Sequence, residues 1–192
     1  MSNLSSTADD ILACARALIV KRGYEGFSYA DIAEVVGIRK ASIHHHFPSK
    51  VDLVRTLVSR YRADAASGLD SLDKVSSDPH VQLSAYIRYW QACVADEKAD
   101  FCICALLAAE LPALPEPVAA EVRLHFKSLS TWLLAVFERG AEQGSMRLSA
   151  SPHIEAEAFM ATVHGGMVSA RAYGDPTLFT AITNLTLQRL TA

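Results

Sequence analysis

The sequence predicts an all-α protein of about nine helices, and three observations carry that prediction. Its long apolar stretches repeat with a helical period of three to four residues. No stretch alternates as a half-buried strand does. The segment ends fall at polar caps, glycines and prolines, which start and stop helices.

The elements follow in order. Ser6-Thr7 ahead of Asp9 and Asp10 form a cap with acids in the first turn. Ile11, Ala15, Leu18 and Ile19 then share one face, and Gly23 supplies the stop. Ser28-Tyr29-Ala30-Asp31 has the form of a capping box, with Asp in the Glu/Gln place, before a short helix ending at Gly37. A second short helix is expected from about Arg39 to His46. Ser49-Lys50-Val51-Asp52 opens a long helix over about 50–75, carrying Leu53, Val54, Leu57, Val58 and Tyr61. Asp78-Pro79 starts the next, with an N-cap and a proline in its first turn. Residues 101–111 read as a short, very apolar helix, broken by the three prolines between Leu111 and Pro117. A long helix is expected from about Val118 to Gln143, and two more start at Ser151-Pro152 and Asp175-Pro176.

At 192 residues, 51% of them apolar and 20% charged, the chain reads as globular and long enough to bury a core. No segment approaches the roughly 20 apolar residues that span a bilayer. The opening residues lack the basic and apolar regions of a secretory signal, so a cytoplasmic protein is expected. The four cysteines, Cys14, Cys93, Cys102 and Cys104, are then thiols rather than a disulfide framework. Net charge is −3, but residues 1–62 hold nine Lys/Arg against six Asp/Glu, and the remainder nine against fifteen. The front of the chain is therefore +3 and the body −6, which suits an anion-binding head on an acidic body.

Phe27 to Leu57 carries the most information. Two short amphipathic helices meet through Gly37, which can adopt the positive φ of a tight turn. With Ile32, Ala33, Val36, Ile38, Ile43 and Phe47 turned to a core, Arg39, Lys40, Ala41, Ser42, His44 and His45 are left on the outer surface of the second helix. Cationic and hydrogen-bonding side chains placed there suit base edges and phosphates in a major groove. Ser28 and Lys50 stand at helix starts, where backbone N–H groups also attract phosphate. The adjacent histidines project about 100° apart and cannot chelate one ion, so no metal is expected.

The run from Phe27 to Lys50, Phe-Ser-Tyr-Ala-Asp-Ile-Ala-Glu-Val-Val-Gly-Ile-Arg-Lys-Ala-Ser-Ile-His-His-His-Phe-Pro-Ser-Lys, resembles the DNA-binding signature of TetR-family repressors. The likeness extends over about residues 7–60. It implies that the helix with Arg39 to His46 enters the major groove and that Lys50 contacts phosphate. It further implies a homodimer on a palindromic double-stranded operator and an effector pocket in the C-terminal helices. The sequence departs from the family at His44, where tyrosine is usual. Histidine can still donate to phosphate, and protonation strengthens the contact, so operator affinity is expected to rise modestly from pH 8 to pH 6.

Two domains are thus expected: a three-helix helix-turn-helix over 1–50, and an effector-sensing and dimerisation domain over 51–192. No nucleophile elbow, P-loop or HExxH motif occurs, so neither catalysis nor a cofactor is expected. An aromatic set serves either as plain core or as the lining of a pocket for an unidentified small molecule. Its expected lining is Tyr86, Trp90, Cys93, Cys102, Phe126, Trp132 and His164. The segment Phe101 to Leu111 resembles one that carries a reactive cysteine in some family members. Cys102 at a helix N-terminus gains nucleophilicity if its pKa is depressed, and is otherwise a small buried apolar residue; Asp100 opposes the shift. Gly165, Gly166 and Ala170 are small enough to allow close helix approach, and form the expected dimer interface. The competing reading is an all-α small-molecule-binding protein or enzyme whose helix-turn-helix is structural.

Overall fold

Serine and aspartate caps decide where six of the described helices begin. A computed structural model describes residues 6–96 and 101–191. Its helices are α1 (Thr7–Arg22), α2 (Tyr29–Val36), α3 (Lys40–His46), α4 (Lys50–Val75), α5 (Pro79–Ala95), α6 (Ile103–Ala109), α7 (Glu116–Glu142), α8 (Pro152–Tyr173) and α9 (Pro176–Leu190). Among the described residues there is no strand, only an isolated bridge between Met146 and Thr191. The capping box expected at Ser28 and Asp31 closes, and the cap expected at Ser6 closes as a box with Asp9. Ser49 receives the Asp52 N–H at 3.1 Å and opens α4 in the same way. Asp78, Ser151 and Asp175 cap α5, α8 and α9, each with proline in the first turn, where a missing N–H costs nothing.

The prolines act differently from expectation around α6. That helix is only 7 residues long, because Glu110 ends it and Leu111–Ala113 winds on as a single 3-10 turn. Helix α7 starts at Glu116, ahead of the expected Val118, with Pro117 inside its first turn. Asp100, the expected acidic neighbour of Cys102, lies outside the described residues.

The chain divides into two compact units. The first holds residues up to Asp64 together with Cys102–His125. In it α1 packs against α2, α3 and α6 over a core that includes Ile11, Ile19, Ile32, Ile43, Leu53 and Leu107. The division expected from sequence put α6 with the C-terminal domain. The apolar side chains of Ile103, Cys104 and Leu107 are fully buried in the first unit instead. The second unit holds Ala65–Phe101 and Phe126 onward. There α5, α8 and α9 pack on one another, around Leu83, Ile87, Phe137, Phe159 and Phe179. Asp73, at the end of α4, receives hydrogen bonds from Gln82 at 2.8 Å and Trp132 at 3.0 Å, tying α4 to α5 and α7 in this unit. No described helix is long and apolar enough to cross a membrane.

Candidate nucleic-acid interface and interior sites

The helix-turn-helix is held by three contacts that leave one face of α3 bare. Gly37 ends α2 with φ 75° and ψ 31°, a left-handed conformation that costs other residues about 1–2 kcal/mol. Its N–H still reaches Ala33 O at 3.0 Å. The buried Tyr29 hydroxyl donates to Phe47 O at 2.9 Å and pins the start of α2 to the end of α3. Ile43 is fully buried under α3. Arg39, Lys40, Ala41, His44 and His45 are exposed, as is Ser28, while Ser42 is half-buried.

His44 is less free than its exposure suggests. One ring nitrogen, Nδ1, lies 3.1 Å from Pro48 O, and the ring meets Tyr29 edge-on with centroids 4.7 Å apart. A carbonyl partner requires Nδ1 to be the protonated nitrogen, which leaves Nε2 as an acceptor in the neutral ring. His45 and His46 meet edge-on at 5.6 Å. Among the described residues, no group of three or more His, Cys, Asp or Glu could hold a metal ion.

Lys50 is turned inward. Its ammonium donates to Phe27 O at 2.7 Å and lies 4.7 Å and 4.5 Å from the ring centroids of Tyr24 and Phe27. Burial pushes its pKa down, with Glu25 and Glu110 opposing. The lysine expected on phosphate thus has a first task in the fold, holding the α1–α2 loop.

The residues expected to line one effector pocket fall in two groups. Tyr86, Trp90, Trp132 and Phe159 form an aromatic nest in the second unit, the other rings lying 6.5, 6.0 and 6.3 Å from Tyr86. Phe126 and His164 meet at 5.2 Å in the same unit, and Cys93 is half-buried on α5. Trp90 Nε1 and His164 Nε2 are buried without a hydrogen bond among the described residues. Such an atom costs roughly 1–3 kcal/mol. Burial alone drives the His164 pKa down to about 4, so its ring is neutral near pH 7.

Cys102 belongs to the first unit, not to that nest. It caps α6, yet its side chain is wholly buried, hydrogen-bonded with Tyr61 and followed by the equally buried Cys104. Burial pushes the Cys102 pKa up, and Tyr61 and two backbone N–H groups offset this only in part. Desolvation thus pushes the Cys102 thiol in the direction opposite to the depression that a helix terminus favours. The expected interface trio is split too. Gly165 is exposed, whereas Gly166 faces Phe179, a Cβ there lying 3.2 Å from the ring, and Ala170 is 3% exposed. Gly166 thus serves close approach of α9 within the chain, and Ala170 is buried one turn further along.

Two further residues had no expected role. Asp73 and Glu110 are single acids in otherwise ordinary helical text, and no periodicity marks either. Each acquires its partners only through tertiary contact.

Comparison with known proteins agrees with this arrangement. A family model described as "Bacterial regulatory proteins, tetR family" matches residues 11–57, and one described as "Tetracyclin repressor-like, C-terminal domain" matches 79–185. A TetR-family transcriptional regulator from Agrobacterium tumefaciens is 61% identical, over 96% of this chain and 97% of its own, with a TM-score of 0.94. A TetR regulator from Legionella pneumophila is 29% identical over 98% and 100%, with a TM-score of 0.88. The HTH-type transcriptional repressor KstR2 of Rhodococcus jostii is 35% identical over 78 residues, 36% of this chain and 38% of that protein. The match therefore spans little more than a third of that relative. Two matching family models and a fold shared along nearly the whole length assign this chain to the TetR family of DNA-binding transcriptional regulators.

Proposed function

We propose that this chain acts in the cytoplasm as a homodimeric repressor of a palindromic operator, released when an effector occupies the second unit. The bare face of α3 carries the reading: Arg39, Lys40, Ala41, His44 and His45 are exposed around a buried Ile43. One such helix reads few base pairs, so two copies on half-sites one or more helical turns apart are needed for specificity. Helix α8 supplies a surface for pairing. Ile154, Ala158, Ala161, Gly165, Val168 and Ala172 are all exposed at alternating four- and three-residue intervals, the spacing of a helix-packing seam. The effector reading is supported by the aromatic nest and the two buried ring nitrogens. A largely apolar molecule bearing a hydrogen-bond acceptor would satisfy the Trp90 N–H. A second reading, release by modification of Cys102, is favoured by its hydrogen bond with Tyr61, and requires the thiol to be uncovered first.

The test is selection of operator fragments from random double-stranded DNA, followed by mobility shift. Wild type should bind a palindrome with affinity that falls steeply with salt. Arg39→Ala should lose about tenfold or more at the selected base pair. Absence of any salt-sensitive selected sequence would instead favour an all-α ligand-binding protein or enzyme with a structural helix-turn-helix.

A further inference from the structure

The loop between α1 and α2, Gly23 to Ser28, is held from two sides by residues remote in sequence. On one side lies Lys50, on Phe27 O and the two aromatic rings. On the other lies Glu110, the residue that ends α6. Its Oε2 accepts the Tyr24 backbone N–H at 2.9 Å. Its Oε1 rests against Gly23, where an added Cβ would lie only 2.5 Å away. Gly23 itself has φ 75° and ψ −177°, which glycine alone adopts readily, so both conformation and space require it. The loop is therefore shaped around this carboxylate.

The position is electrostatically unfavourable by default. Glu110 lies beside the C-terminal end of α1, where the helix dipole repels an anion. The Tyr24 N–H and the nearby Lys50 charge offset that repulsion. A carboxylate kept in such a place, spanning two helices, is built to hold them together.

We propose that Glu110 is a positioning residue for DNA binding: its carboxylate pegs the Gly23–Ser28 loop and so fixes the angle at which α2 and α3 leave α1. Displacement of α6 then reaches α3 directly through the first unit, in addition to any route along α4. The inference rests on the reading that α3 contacts the operator.

The experiment compares full-length Glu110→Ala, Glu110→Asp and Glu110→Gln with wild type. One readout is amide hydrogen exchange at Tyr24, which needs no DNA; the other is affinity for the operator selected by wild type. Glu110→Ala and the too-short Glu110→Asp should speed Tyr24 exchange about tenfold or more, without changing exchange at Ile32 or Val54. Both should weaken operator binding by about tenfold or more, the loss expected when a hydrogen bond to a charged group goes. Glu110→Gln retains an acceptor oxygen and should stay within about threefold of wild type on both readouts, since a neutral hydrogen bond remains. The proposal is overturned if Tyr24 exchange does not change in Glu110→Ala and Glu110→Asp, or if exchange quickens while operator affinity holds. Should Glu110→Ala fail to fold, Glu110→Asp against Glu110→Gln decides alone. Failure of wild type to select an operator counts against the α3 reading, and the exchange arm still tests the peg.

Discussion

His164 shows how one partly buried ring makes the second unit acid-sensitive. Its pKa is lowered from 6.5 to about 4 by burial, so between those values the unfolded chain binds a proton that the native protein does not. Stability is therefore full above about pH 6.5 and is lost as the pH falls toward 4. At about 1.4 kcal/mol per pH unit the loss is on the order of 3 kcal/mol. Urea midpoints should fall over this window in wild type and much less in His164→Leu; parallel profiles would refute the assignment. The thiols give a second residue-scale prediction. Burial raises Cys14, Cys102 and Cys104, whereas Cys93 is half-buried. An aromatic disulfide reagent should label Cys93 first and reach Cys102 and Cys104 only at the rate of unfolding. Fast labelling of Cys102 in the native state would restore the reactive-thiol picture in its simple form.

At the scale of elements, α2 and α3 are too short to persist alone, and their ends do the specifying. Ser28 and Asp31 satisfy the first orphan N–H groups of α2, and Gly37 turns the chain into α3. Ser28→Ala and Gly37→Ala should each cost about 1 kcal/mol of stability. His45→Ala, on the bare face of α3, should stay within about 0.5 kcal/mol. Operator binding should rank differently, with His45→Ala losing affinity at near-wild-type stability. If affinity simply tracked stability in all three, the bare face would have no separate role.

At the scale of the whole molecule, the exposed α8 stripe is the surface most in need of a partner. Ile154 and Val168 are each 54% exposed along it, and Ala161 and Gly165 lie between them at positions where helices can approach closely. Ala161→Glu would place a charge where a second copy should pack. Sedimentation should give a dimer for wild type and a monomer for Ala161→Glu, with operator binding weakened in the variant. A monomeric wild type that still bound its operator tightly would remove α8 from the argument.

What the sequence by itself determined is what local chemistry controls. The caps at Ser6, Ser28, Asp78, Ser151 and Asp175, the αL turn at Gly37 and the outward face of α3 each depend on residues within about one turn of one another, so they could be read directly. Only the tertiary structure decided which way Lys50 and Cys102 face. It also decided which of two adjacent glycines lies inside. Helix α8 carries apolar residues on both sides, Val163 and Met167 inward and Val168 outward, so periodicity could not choose between Gly165 and Gly166, whose directions differ by about 100°. The Glu110 peg is the extreme case. It joins residues 86 apart in the chain, and a hydrogen bond closed over that distance leaves no pattern in either segment.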